Sequence, residues 1–184
     1  MGRPRQFSRE GVIDAALPVF WAQGYARTSL HDLEQATGVN KSGLYAEFEG
    51  KEDLFLSCLR RYYETRRGRA ILARMPQGWD NIREYLDLGR SRLDGQGGCF
   101  AVNSMRELGG LPPEASEIVT ENRRHVKALI LQNVEAERPG IEAPEIADTI
   151  SAFFSGLCIE FNLYEDPQIR RRAIDGFMAL LRRA

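Results

Sequence analysis

Residues 27–54 read Arg27-Thr28-Ser29-Leu30-His31-Asp32-Leu33-Glu34-Gln35-Ala36-Thr37-Gly38-Val39-Asn40-Lys41-Ser42-Gly43-Leu44-Tyr45-Ala46-Glu47-Phe48-Glu49-Gly50-Lys51-Glu52-Asp53-Leu54. Ser29 and Asp32 have the spacing of a capping box, which predicts a short helix from about Ser29 to Thr37 with Leu30, Leu33 and Ala36 turned inward. Gly38-Val39-Asn40 then forms a tight turn. Asn40 is a good N-cap for a second short helix, about Lys41 to Glu47, whose inner face is Leu44 and Phe48. A longer helix opens near Lys51 and carries Phe55, Cys58, Leu59 and Tyr62 as one stripe. Two short helices joined by a glycine turn and braced by a longer one are the layout of a helix-turn-helix. Its second helix must be slim and polar outside to enter a major groove roughly 12 Å wide. Lys41, Ser42, Gly43, Tyr45 and Ala46 supply such a face.

Working outward, a first helix is expected after Ser8, with Ile13, Ala16, Leu17 and Phe20 as its apolar stripe and Gly24 at its end. Pro18 lies inside it and removes one backbone hydrogen bond, so a kink is expected. The fourth helix runs on to a break at Met75-Pro76-Gln77-Gly78. Further helices are expected at about 79–93, 101–109, 113–137, 144–164 and 167–183, punctuated by glycine and proline clusters. No run alternates with period 2, so the fold class is all-α, with about nine helices. A division at residue 50 is expected, with residues 1–50 forming a three-helix helix-turn-helix domain and residues 51–184 a second helical domain. In the second part Ile146, Ile150, Phe153, Leu157 and Phe161 make one stripe, which Phe154 and Cys158 widen. Ile169, Ala173, Phe177 and Leu180 make another. Helices apolar on more than one side must be covered on more than one side.

The stretch from Arg27 to Leu54, with Gly2-Arg3-Pro4-Arg5 and Phe20-Trp21…Gly24-Tyr25 before it, resembles the DNA-binding region of the TetR family of regulators. The likeness spans about residues 2–60. It implies that Thr28 and Tyr45 hold phosphates through their hydroxyls. Lys51 would meet a phosphate with its charge and a helix N-terminus. Lys41, Ser42 and Gly43 would approach base edges. Ser29 and Asn40 complete the contact set, and Arg3 and Arg5 would form an arm over backbone or minor groove. Glu47 departs from the pattern, since a carboxylate there repels phosphate. The resemblance also implies a homodimer built on the last two helices and a repressor released from its double-stranded DNA operator by a small-molecule effector. The effector site is expected among the middle helices, with Tyr63, Trp79, Cys99, Phe100, Met105, His125 and Phe154 as candidate lining residues.

Composition is that of an ordinary globular chain: 184 residues, 43% hydrophobic, 28% charged, net charge −1. Residues 1–69 hold 11 basic against 9 acidic side chains, and the remainder 14 against 17. No run is long and apolar enough for a membrane span. The N-terminus lacks the apolar core of a secretion signal, so a cytoplasmic location is expected. Three widely spaced cysteines, Cys58, Cys99 and Cys158, form neither a disulfide framework nor a zinc pattern. No metal and no cofactor is expected, and the chain is not expected to be an enzyme.

Cys99 follows Gly97-Gly98 and precedes a predicted helix, where a thiol can become a reactive thiolate. This opens an alternative, a regulator that senses electrophiles or oxidants through Cys99. A helical adaptor binding protein through its first three helices and an enzyme built on a Cys99–His125 dyad stay open as rival readings.

Overall fold

The computed structural model describes residues 7–88, 98–160 and 166–183. Among them are ten α-helices, one 3₁₀ turn at Leu108–Gly110 and no strand. The helices are α1 (Arg9–Gln23), α2 (Leu30–Thr37), α3 (Lys41–Glu47), α4 (Lys51–Thr65), α5 (Gly68–Leu72), α6 (Trp79–Leu88), α7 (Phe100–Met105), α8 (Pro113–Ala136), α9 (Ala143–Glu160) and α10 (Pro167–Leu181). The chain divides into two compact units, one of residues 1–65 and 103–119, the other of residues 66–102 and 120–184.

In the first unit α1 packs on α2 and α4. Ser8 caps α1 by accepting from the Gly11 N–H, and the helix runs on through Pro18. Its buried face is Val12, Ala16, Phe20 and Trp21. The stripe expected from spacing, with Ile13 and Leu17, is therefore rotated by about one position, and those two are half-buried. The rotation follows the aromatic packing: Phe20 meets Phe55 edge to face at 5.2 Å, and Trp21 meets Tyr62 in the same way at 5.3 Å. Leu54, Phe55, Cys58, Leu59 and Tyr62 of α4 are all buried in this core. The packing therefore keeps α4 with the first three helices, whereas the sequence placed the division at residue 50. Residues 103–119 rejoin the same unit.

The helix expected to run to Met75 stops at Thr65, whose hydroxyl bonds back to the carbonyls of Arg61 and Tyr62. A Cβ on Gly68 would lie 3.3 Å from the Tyr85 ring, so the start of α5 packs tightly against α6. The second unit buries Leu72, Ile82, Leu86, Ile130, Val134 and Ile150 completely or nearly so. A polar knot holds the turn between α5 and α6. Buried Asn133 donates to the carbonyls of Leu72 and Leu129 and accepts from the Gly78 N–H and the Asn81 amide. Asn81 donates onward to the Arg74 and Pro76 carbonyls.

Helix α10 has two apolar faces. Ile174, Met178 and Leu181 are buried in the unit, while Ile169 and Leu180 are 43% and 67% exposed. Of the α10 stripe read from the sequence, Ala173 and Phe177 are partly buried against the unit's core, whereas Ile169 and Leu180 face outward. Phe161 lies outside the described residues.

Candidate nucleic-acid interface

The caps expected around α2 and α3 carry the geometry. The Ser29 N–H donates to Asp32 Oδ2 at 2.8 Å, and the Asp32 N–H donates to Ser29 Oγ at 3.2 Å. Hydrogen bonds from the Ser29 hydroxyl and N–H hold the Asp32 carboxyl below its ordinary range. Gly38 ends α2 at φ 67°, ψ 10°, a left-handed conformation that costs a side chain with Cβ about 1 kcal/mol or more. A Cβ there would meet nothing within 4 Å, so the requirement is conformational only. Asn40 Oδ1 then accepts from the Gly43 N–H at 2.9 Å and starts α3. The Glu34 carboxylate accepts from the Lys41 N–H and ties the two helices together.

Helix α3 turns Leu44 inward and leaves Lys41, Ser42, Tyr45 and Ala46 exposed. Tyr45 is 50% exposed, unusual for its size, and the Lys41 ammonium lies 5.8 Å from its ring centroid. Gly43 has a structural reason beyond access to a ligand: a Cβ there would lie 2.6 Å from Val39 Cγ1 and 3.3 Å from Asn40 Oδ1. The absence of a side chain lets α3 close onto the turn.

Two residues expected on phosphates are engaged inside the protein. Thr28 is 1% exposed, and its hydroxyl donates to the Gly24 carbonyl at 2.6 Å. Lys51 is half-buried; its ammonium donates to the Tyr25 and Thr28 carbonyls at 2.9 and 3.0 Å and lies 4.3 Å from the Tyr25 ring centroid. Their position relative to the start of α2 explains this: the α1–α2 turn offers carbonyls that need donors. Ser29 and Asn40 serve as caps. Arg3 and Arg5 lie outside the described residues.

Two residues in this frame escaped the sequence reading. Arg9 donates to the Glu47 carbonyl and to Ser57, pairs with Asp53 at 3.5 Å and lies 4.1 Å over the Phe48 ring, pinning the end of α3 between α1 and α4. Glu107 accepts from the Ala26 N–H at 3.1 Å. It fills the space where Gly24, at φ 81°, has no side chain. No sequence signal marks either one, because both act on residues at least 38 positions away.

The residues expected around an effector fall into different settings. Tyr63 and Met105 belong to the first unit, and the other five to the second. Tyr63 packs edge-on against Tyr62 at 5.7 Å. Trp79 and Phe100 are buried packing residues, 8% and 1% exposed. Phe154 stacks on Tyr85 at 4.4 Å. His125 is exposed on α8. Cys99 is half-buried. It immediately precedes α7, which has six residues.

A polar, slim α3 held outward by capped helices and a buried aromatic frame defines a helix-turn-helix DNA-binding protein. Residues 12–58 match the family described as bacterial regulatory proteins, tetR family. The HTH-type transcriptional repressor ComR of Escherichia coli (strain K12) is 28% identical over 173 residues, 86% of this chain and 81% of ComR. The crystal structure of a TetR transcriptional regulator from Chloroflexus aurantiacus J-10-FL is 29% identical, with a TM-score of 0.83 over 94% of this chain and 93% of that one. A cysteine mutant of the TetR-family regulator CifR, in complex with 26-bp double-strand operator DNA, shares the fold. Its TM-score is 0.78 at 24% identity, over 100% of this chain and 99% of that one. Residues 12–58 are thus a DNA-binding region of the tetR family, and the chain as a whole is similar to transcription regulators of that family.

Proposed function

We propose that this regulator is a repressor that binds a double-stranded DNA operator as a homodimer in the cytoplasm and lets go when an effector binds. The observation that carries the reading is the exposed face of α3, where Lys41, Ser42 and Tyr45 stand outward on a rigid frame while Leu44 and Phe48 anchor it. Lys41 and Ser42 reach base edges, and the Tyr45 hydroxyl takes a phosphate. Thr28 and Lys51 act mainly as braces for the turn that sets the angle of α2. Gly43 serves close packing and brings the α3 backbone near the bases.

A single short helix reads few base pairs, so two copies spaced by about one helical turn of DNA are needed for specificity. The outward face of α10, with Ile169 and Leu180, and Ile159 of α9 at 40% exposure supply apolar surface for that pairing. In this reading residues 1–50 read DNA and residues 51–184 serve effector and partner, α4 being shared between the tasks. The kinship with ComR, a repressor by name, supports repression.

The test is binding to a pool of random duplexes across a salt series. A DNA reader loses affinity steeply, with a log–log slope of about −0.9 for each phosphate neutralised. A flat salt response, or no enrichment of any duplex, would favour a protein-binding adaptor.

A further inference from the structure

The α1–α2 turn, residues 24–29, is held by two side chains of opposite charge from distant parts of the chain. Lys51 of α4 donates to the carbonyls of Tyr25 and Thr28. Glu107, 81 positions along the chain from Ala26, accepts from the Ala26 N–H through Oε2 at 3.1 Å. Residues 1–65 and 103–119 form one compact unit, so both contacts lie inside it. Glu107 stands well outside residues 12–58, the stretch that matches the family. We infer that Glu107 is a positioning residue for DNA reading: seated in the hollow of Gly24, its carboxylate fixes the α1–α2 turn and with it the pose of α2 and α3. The role in DNA reading rests on the function proposed above; the fixing of the turn does not.

Gly24 closes α1 at φ 81° and ψ 167°, a backbone conformation that residues with a Cβ rarely adopt. A Cβ there would lie 2.1 Å from Glu107 Oε1 and 2.9 Å from its Cδ. The carboxylate thus occupies the volume that the glycine leaves open. Its own backbone is tied on both sides: the Glu107 N–H donates to the Ser104 carbonyl at 2.9 Å, and the Gly110 N–H donates to the Glu107 carbonyl at 2.7 Å. Pro112, Ala115 and Val119, a few residues on, are buried and anchor the segment that carries Glu107.

From the turn to the reading helix the steps are short. Two residues after Ala26, the Thr28 hydroxyl donates to the Gly24 carbonyl at 2.6 Å. Ser29 follows and caps α2 together with Asp32. Helix α2 has eight residues, and its Glu34 accepts from the Lys41 N–H at the start of α3. A turn that is loose in the free protein must be ordered on binding, which subtracts from affinity. The sign of the effect separates this role from plain electrostatics. A carboxylate on the DNA-reading unit repels phosphates, so loss of its charge alone should tighten binding. Loss of the bond to Ala26 should weaken it.

The experiment compares Glu107→Gln, Glu107→Asp and Glu107→Ala in the full-length protein. Glutamine keeps the reach and an acceptor oxygen without the charge, aspartate keeps the charge but is one methylene short, and alanine keeps neither. Circular dichroism sets a temperature at which every variant is folded. Binding is measured there, across a salt series, on the duplex that the wild type enriches most from a random pool. The aspartate and alanine variants should bind about five- to tenfold more weakly and the glutamine variant within about twofold of wild type, all with the wild-type salt slope, since no phosphate contact is lost. Amide exchange at Ala26, read by mass spectrometry of peptides across the turn, should be about tenfold faster in the aspartate and alanine variants than in the other two proteins. If Glu107→Ala does not fold, the aspartate–glutamine contrast decides. Folded aspartate or alanine variants that bind as well as wild type, or better, overturn the positioning role even if they melt lower. A loss shared equally by the glutamine variant overturns it too. Unchanged exchange at Ala26 overturns the fixing of the turn. A wild type that enriches no duplex counts against the DNA-binding reading instead, and the exchange measurement still decides the turn.

Discussion

Lys51→Met separates two roles that a lysine at this place could have. The substitution keeps most of the apolar stem and removes the ammonium. In the folded protein that ammonium satisfies the Tyr25 and Thr28 carbonyls at 2.9 and 3.0 Å and faces the Tyr25 ring. Hydrogen bonds from a charged donor contribute about 1.5–3 kcal/mol each at best. Half-exposure brings each bond down to about 1 kcal/mol, and the ring contact adds about 0.5 kcal/mol. The sum is about 2–3 kcal/mol, or about 4–12 °C in melting temperature for a chain of this size. Urea unfolding followed by circular dichroism should show the midpoint falling with the slope unchanged. DNA affinity should fall because the α1–α2 turn loosens, while the salt slope stays as in the wild type. Were Lys51 instead bound to a phosphate, stability would hold and the salt slope would shrink by about 0.9 for each phosphate no longer neutralised. Unchanged stability with a reduced slope would refute the bracing role.

Four further outcomes are expected. Gly38→Val should destabilise by about 1–2 kcal/mol and Gly38→Asn by clearly less, since the site demands a left-handed backbone and has open space; denaturant midpoints check the ranking. Asn133→Ala removes both donors and an acceptor from a buried knot, so thermal unfolding should reveal a loss of about 2–4 kcal/mol. Leu180→Glu, 67% exposed in the single chain, should leave the fold intact and shift sedimentation from dimer to monomer. The Asp32 carboxyl lies below its ordinary range in the folded state, so its contribution is present above pH about 4 and disappears as pH falls below that. The stability difference between wild type and Asp32→Asn should accordingly be seen at pH 7 and shrink progressively in melts at successively lower pH below about 4.

What could be read from the sequence was local. Ser8, Ser29 with Asp32, Gly38 and Asn40 act on partners within four positions, and each is where its spacing put it. Features that depend on distant packing were out of reach. The break after Thr65 is one, because the apolar period continues across it and the Gly68–Tyr85 approach is tertiary. The inward face of α10 is another: its two faces carry similar apolar residues, and only packing decides which is covered. The engagement of Lys51 with turn carbonyls and the Arg9 clamp both join residues that sequence spacing keeps apart. The exposed face of α3 was legible because it is one short helix whose anchors, Leu44 and Phe48, lie within it or at its end.

The claim on which the account stands is that α3 meets bases directly, once per subunit. It is tested most directly by selecting random duplexes with wild type and with Ser42→Ala and Lys41→Ala. The account predicts a wild-type motif of two inverted half-sites and, in the variants, relaxed preference at the same few positions of both halves. Identical motifs for all three proteins would contradict it.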